Sequence, residues 1–157
     1  MINQNQKRKI KEAVEEFFSK MTVPVVKMDV NVFTDSAEKD VVDLNIQIEE
    51  PQILIGQGGQ TLFEIQRLLR MMLNNKMESI FYLNLDINDY KNKKENYLKN
   101  LAKELADEVA LRKEEKNLLP MPSYERRIIH AELSKRPDVS TESLGNGLDR
   151  HIVIKPN

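Results

Sequence analysis

Cysteine and tryptophan are absent from this chain of 157 residues, and only 6% of its residues are aromatic. Without cysteine there can be no disulfide, no thiolate zinc site and no cysteine nucleophile. No apolar run approaches the roughly 18 residues a membrane-spanning helix needs. The start, Met1-Ile-Asn-Gln-Asn-Gln-Lys-Arg-Lys, lacks the apolar stretch of a signal peptide. An excess of charge is missing too: 24 Lys+Arg stand against 25 Asp+Glu, a net charge of −1. That balance argues against coating nucleic acid by bulk charge. A soluble cytoplasmic protein with no metal and no cofactor is the expectation.

What is present is a core and a polarity. Hydrophobic residues make up 40% of the chain, enough to bury an interior. Residues 1–89 carry a net charge of −4 and residues 90–157 a net charge of +3. Two units with different surfaces follow from that split, 1–89 and 90–157.

Ile10, Val14, Phe17, Phe18 and Met21 recur at helical spacing and predict an amphipathic helix over residues 5–21. Pro24 stops it. Val26, Met28, Val30 and Val32 then alternate with polar residues, as do Val42, Leu44, Ile46 and Ile48. Period two with β-branched side chains predicts strands over 25–33 and 41–48, joined as a hairpin. Ile53-Leu54-Ile55 forms a short apolar turn before Gly56-Gln57-Gly58-Gly59. A helix resumes with Thr61 as its cap and Leu62, Ile65, Leu68, Leu69, Met72 and Leu73 as its stripe, ending at Asn74-Asn75. Phe81, Leu83, Leu85 and Ile87 predict a third strand over 80–87. A long helix spans 90–116 with Tyr97, Leu98, Leu101, Leu105 and Val109 inward. A short helix over 123–135 and two short strands around a Gly145-Asn146-Gly147 turn complete an α+β chain.

The glycine run is the first candidate site. Free amides at the start of a helix, together with the helix dipole, attract phosphate oxygens, although a glycine pair also serves simply as a tight turn. No Gly-Lys-Ser/Thr follows, so it is not a nucleotide P-loop. A G-x-x-G between two helices, after helix-strand-strand and before a third strand, resembles the type II KH domain, a three-stranded sheet with helices on one face. The resemblance implies that Gly56, Gln57, Gly58 and Gly59 clamp the backbone of a single-stranded nucleic acid. The inner pair Gln57-Gly58 departs from the Lys or Arg that family members often place there.

Arg126 and His130, four apart, share one face of the short helix, and Tyr124, Ile128 and Ala131 are expected to face a core. The stretch Pro122-Ser-Tyr-Glu-Arg126-Arg-Ile-Ile-His130, then Val139-Ser-Thr-Glu-Ser-Leu-Gly145, then Arg150-His-Ile-Val-Ile-Lys155-Pro156 resembles the R-three-H domain. That family is associated with single-stranded nucleic acid. The resemblance implies contacts from Arg126, Arg127, His130, Thr141, Ser143 and Arg150. The turn Asn146-Gly147-Leu148-Asp149 departs from the acidic, proline-containing form of bacterial members.

A KH unit followed by a small α+β R-three-H unit resembles the bacterial Jag family, also called KhpB or EloR, without its usual amino-terminal Jag domain. The implied roles are binding of single-stranded RNA or single-stranded DNA, partnership with a small KH-domain protein, and influence on cell elongation. Lys91, Lys93, Lys94, Lys99 and Lys103 read as a solvated helix face, or else as a basic track beside these sites. Tyr82, Tyr90 and Tyr97 are the few rings available for stacking, and Tyr97 is expected in the helix seam. No spacing brings His130 and His151 together as acid and base, so no enzyme is expected.

Overall fold

The alternating runs of the first half become one mixed sheet. The structure, a computed structural model, describes residues 2–77 and 80–157. The chain divides into two compact units, Met1–Lys91 and Asn92–Asn157.

In the first unit, α1 (Gln4–Lys20) opens with a capping box in which Asn3 and Gln6 exchange side-chain-to-backbone hydrogen bonds of 2.9 Å. Strands β1 (Val25–Thr34) and β2 (Asp40–Ile48) form an antiparallel pair. Next come α2 (Gln52–Ile55), the glycine turn, α3 (Gln60–Met77) and β3 (Tyr82–Ile87). Strand β3 lies parallel to β2, giving the sheet order β1-β2-β3. Val42, Leu44, Ile46 and Ile48 of β2 and Leu83, Leu85 and Ile87 of β3 are buried, and their alternate neighbours lie on the outer face. The core is closed by Ile10, Val14 and Phe18 of α1 and by Leu62, Ile65, Leu69 and Leu73 of α3.

Several local expectations are corrected. Alternation groups Val26 with the inward residues, yet it is 64% exposed. The ladder shifts register between Val25 and Lys27, so Val26 is the extra residue of a bulge and turns outward. Helix α3 runs through Asn74 and Asn75 to Met77, because the Asn74 side chain pairs with both the amide and the carbonyl of Phe81 (3.3 and 3.5 Å) instead of stopping the helix. Leu68 is exposed. Thr61 lies inside α3, which starts at Gln60, and so is not its cap. The third strand starts at Tyr82, two residues later than its alternation suggests.

The second unit contains most of α4 (Tyr90–Arg112), then β4 (Lys116–Asn117), α5 (Ser123–Leu133), β5 (Val139–Leu144) and β6 (His151–Pro156). Its sheet is antiparallel with order β4-β6-β5. Lys116, expected at the end of the long helix, lies in β4 instead. The helix stops at Arg112 and Lys113 takes a left-handed φ of 59°. The inward stripe of α4 is Leu98, Ala102, Ala106 and Val109, and Tyr97 is 59% exposed rather than packed in a seam. Small alanines let the neighbouring elements approach α4 closely, which larger stripe residues would prevent.

Ion pairs tie the second unit's surface. Arg136 bridges Asp107 and Asp138 at 2.5 Å each, and Lys116 holds Glu108 at 3.1 Å. The Arg136 guanidinium holds the Asp138 carboxyl below its ordinary range, and the Lys116 ammonium does the same for Glu108. A carboxylate depressed in the folded state adds stability above its unfolded pKa of about 4, lost as pH falls through the folded value. The melting temperature followed by circular dichroism is therefore expected to drop on acidification from about pH 6 to about pH 3. R136Q should flatten that dependence, and identical profiles for the two chains would refute the assignment.

Candidate nucleic-acid interface

The glycine turn is built by backbone that only glycine adopts comfortably. Gly56 sits at φ 70°, ψ −176°, and Gly58 at φ 61°, ψ 13°. Gly56 ends α2, its amide donating to Gln52 O at 2.9 Å, and a single turn over Gln57–Gly59 leads into α3. A Cβ on Gly56 would collide with Thr61 Oγ1 and lie 2.7 Å from Thr61 Cβ. Gly59 is packed against the Tyr90 ring, whose Cε1 would lie 2.8 Å from an added Cβ. Gly58 has open space around it. Thr61 and Tyr90 thus fix the two framing glycines, and the inner pair is left at the surface.

The second cluster is assembled from three separate elements. Arg126 and His130 project from α5 towards β5. Arg126 Nη1 donates to Ser143 Oγ at 2.6 Å, and its Nε donates to Met121 O at 3.2 Å. His130 Nδ1 lies 2.6 Å from Thr141 Oγ1. Thr141 and Ser143 are two apart on β5 and so share one face of the strand. The i, i+4 spacing of the helix therefore meets the i, i+2 spacing of the strand, and each basic side chain is held by a hydroxyl. A cleft of about 330 Å³ opens here, lined by Arg126, Arg127, His130, Thr141, Ser143 and Arg150 among others. All six residues that the R-three-H resemblance picks out lie on its wall. Three guanidiniums, an imidazole and the hydroxyls of Ser123, Thr141 and Ser143 surround one depression, whose one carboxylate, Glu142, is paired with Lys155; the set offers an anion fixed charge and directed donors.

Sequence reasoning missed what lies under this cleft. The inward face of α5 is Glu125, Ile129 and Leu133, not Tyr124, Ile128 and Ala131. Tyr124 and Ala131 are exposed and Ile128 is half-buried. Glu125 is 5% exposed, takes an ion pair from Lys94 at 3.5 Å and accepts from the Tyr124 hydroxyl at 3.0 Å. The signal was the 125/129/133 repeat, obscured because a carboxylate is seldom buried unless paired. Lys99 pairs with Glu95 at 2.6 Å and Lys103 with Glu132 at 3.1 Å. Lys91 is hydrogen-bonded to Gln66 and Asn84, and its burial lowers its pKa. The five lysines therefore form no continuous free track. Among the described residues, no group of three or more His, Asp or Glu is placed to hold a metal ion.

Residues 96–156 match the R-three-H domain. The whole clustered set from Arg126 to Arg150 lies inside this R-three-H domain. The chain is also 35% identical over 143 residues to the RNA-binding protein KhpB of Clostridium symbiosum, covering 91% of this chain and 63% of that protein. It is 38% identical over 130 residues to the RNA-binding protein KhpB of Bacillus subtilis strain 168, covering 82% and 61%. With the RNA-binding protein KhpB of Streptococcus pneumoniae serotype 2 the identity is 27% over 146 residues, 92% of this chain and 44% of that protein. The chain thus spans less than two thirds of the length of these relatives, and those matches extend well beyond the R-three-H domain.

Proposed function

We propose that this chain is a Jag-family RNA-binding protein that holds single-stranded RNA by its phosphate backbone and catalyses no reaction. The observation that carries the reading is the convergence of Arg126, Arg127, His130, Thr141, Ser143 and Arg150 on one cleft within the R-three-H domain. Phosphate contacts position a strand without reading its bases, so affinity here is salt-dependent and weakly selective, and single-stranded DNA is a ligand of the same kind. The names of the KhpB relatives support RNA as the ligand class.

The first unit is read as a type II KH domain. Its order of helix, two strands, helix, glycine turn, helix and parallel third strand supports that, as does the glycine-only backbone of the loop. With Gln57 and Gly58 uncharged, the loop contributes amide donors without cationic attraction, so most affinity resides in the R-three-H cleft. Binding is followed by anisotropy of a labelled single-stranded RNA with the full chain. Arg150→Ala is expected to weaken binding about tenfold, the scale of one charge-assisted contact, and to reduce the salt slope by about one. Gly58→Asp is expected to weaken it by a smaller factor, since a carboxylate would meet phosphate there. Absence of binding even in dilute salt would overturn the RNA reading, and indifference to Gly58→Asp alone would remove only the loop contact.

A second reading is favoured by Phe63, Leu68 and Met71, which stand 54–60% exposed on α3. Apolar side chains on an outer helix face suit a protein contact, consistent with partnership with a small KH-domain protein. Cytoplasmic residence accords with RNA as ligand; among the described residues no helix is long and apolar enough to cross a membrane.

A further inference from the structure

The two histidines of the chain are held in different ways. His151 Nδ1 lies 2.9 Å from the carbonyl oxygen of Asp149. A carbonyl can only accept, so Nδ1 carries the hydrogen there, and in the neutral ring Nε2 is a bare acceptor. His130 Nδ1 instead lies 2.6 Å from Thr141 Oγ1, and a hydroxyl can donate or accept. The hydroxyl of Ser143 accepts from Arg126 and donates to the His151 carbonyl at 3.5 Å. Among the described residues, the Thr141 hydroxyl has no partner but His130 Nδ1, and His130 Nε2 makes no hydrogen bond. The ring lines the anion cleft. The charges around that cleft are Arg126 and Arg127 on α5, Arg150 before β6, and Glu142 on β5, which is paired with Lys155 of β6.

We propose that Thr141 is a positioning residue that fixes the tautomer of His130. Its hydroxyl donates to Nδ1, which leaves the hydrogen of the neutral ring on Nε2, aimed at the ligand. The inference rests on the reading of this cleft as the seat of an RNA phosphate and deepens it. In the opposite tautomer a lone pair on Nε2 would face the phosphate oxygens, acceptor against acceptor. With Thr141 donating, the neutral imidazole gives the phosphate an N–H donor, so His130 contributes without carrying charge. Thr141 itself acts through His130, because its hydrogen is engaged by the ring. In the imidazolium both nitrogens donate and the hydroxyl turns to accept. Thr141 then no longer decides what Nε2 offers, and its influence is confined to pH values at which the ring is uncharged.

Two readouts of the full chain test this. With two histidines in the sequence, the long-range proton–nitrogen NMR spectrum holds two imidazoles, assigned with His130→Ala. At about pH 8.5, above the ordinary imidazole pKa of about 6.5, His130 is expected as the Nε2–H tautomer and His151 as the Nδ1–H tautomer. Affinity for a labelled single-stranded RNA is then compared at about pH 8.5 and about pH 5.5, at one salt concentration. At the higher pH, His130→Ala and Thr141→Val should each weaken binding about fivefold, the scale of one neutral hydrogen bond. The double variant should lose no more than either single one. At the lower pH, Thr141→Val should come within about twofold of the parent while His130→Ala stays weak. Thr141→Ser keeps the hydroxyl and should match the parent at both. An Nδ1–H ring at His130, a Thr141→Val loss that persists without His130 or at the lower pH, or a His130→Ala variant that binds like the parent at the higher pH would each overturn this role alone. Absence of RNA binding by the parent chain would overturn the RNA reading, and this role with it.

Discussion

Gly56→Ala should lower the stability of the first unit by about 2–6 kcal/mol. Two costs add. At φ 70°, ψ −176° the backbone lies in a region reserved for glycine, where another residue costs about 1–3 kcal/mol. The new Cβ also meets the Oγ1 and Cβ of Thr61, and overpacking of that kind costs about 1–3 kcal/mol more. Gly58→Ala is the internal control. Its φ of 61° and ψ of 13° are left-handed helical, and nothing lies within 4 Å of its added Cβ, so a loss of about 1 kcal/mol is expected. Urea unfolding followed by circular dichroism measures both. Equal losses at the two positions would show that strain, not the contact with Thr61, governs the turn.

Arg126→Glu is expected to weaken binding of single-stranded RNA by about two orders of magnitude. Removing one charge-assisted contact costs about 1.5–3 kcal/mol, and a carboxylate in a phosphate site adds repulsion where a cation stood. Arg126 also donates to Ser143 and to the Met121 carbonyl, so its guanidinium is aimed before any ligand arrives. Arg126→Lys separates charge from aim. It keeps the cation but cannot reach two acceptors with a planar fork, and a loss of about tenfold is expected. Anisotropy titrations at two salt concentrations distinguish these outcomes. A lysine variant that binds like the parent would show that the hydroxyl at Ser143 does not orient the contact.

The two sites differ in how they are made, and so in how legible each is from sequence. The glycine turn is local: four consecutive residues between apolar segments carry it in the sequence. Its rigidity is not local, because Tyr90 reaches Gly59 from thirty-one positions further along the chain. The R-three-H cleft shows its helix half in the Arg126/His130 spacing. Its strand half, Thr141 and Ser143, comes from family resemblance, since two hydroxyls on a short strand carry no signal of their own. Glu125 escapes notice for the opposite reason: composition counts a carboxylate as solvent-facing, and only Lys94 and Tyr124 make its burial tolerable.

By itself the sequence determined the longer helices and strands, because periods of 3.6 and 2 state which residues of an element share a face. It also determined the absence of cysteine chemistry and the split of charge between the halves. Tertiary structure alone decided that β3 runs parallel to β2, that a bulge turns Val26 outward, that Ala102 and Ala106 face inward, and that Lys116-Asn117 adds a strand. It alone set two hydroxyls of β5 against the arginine and histidine of α5. Periodicity records what each element buries, whereas the partner it meets is chosen by packing between residues far apart in the chain, which no local pattern records.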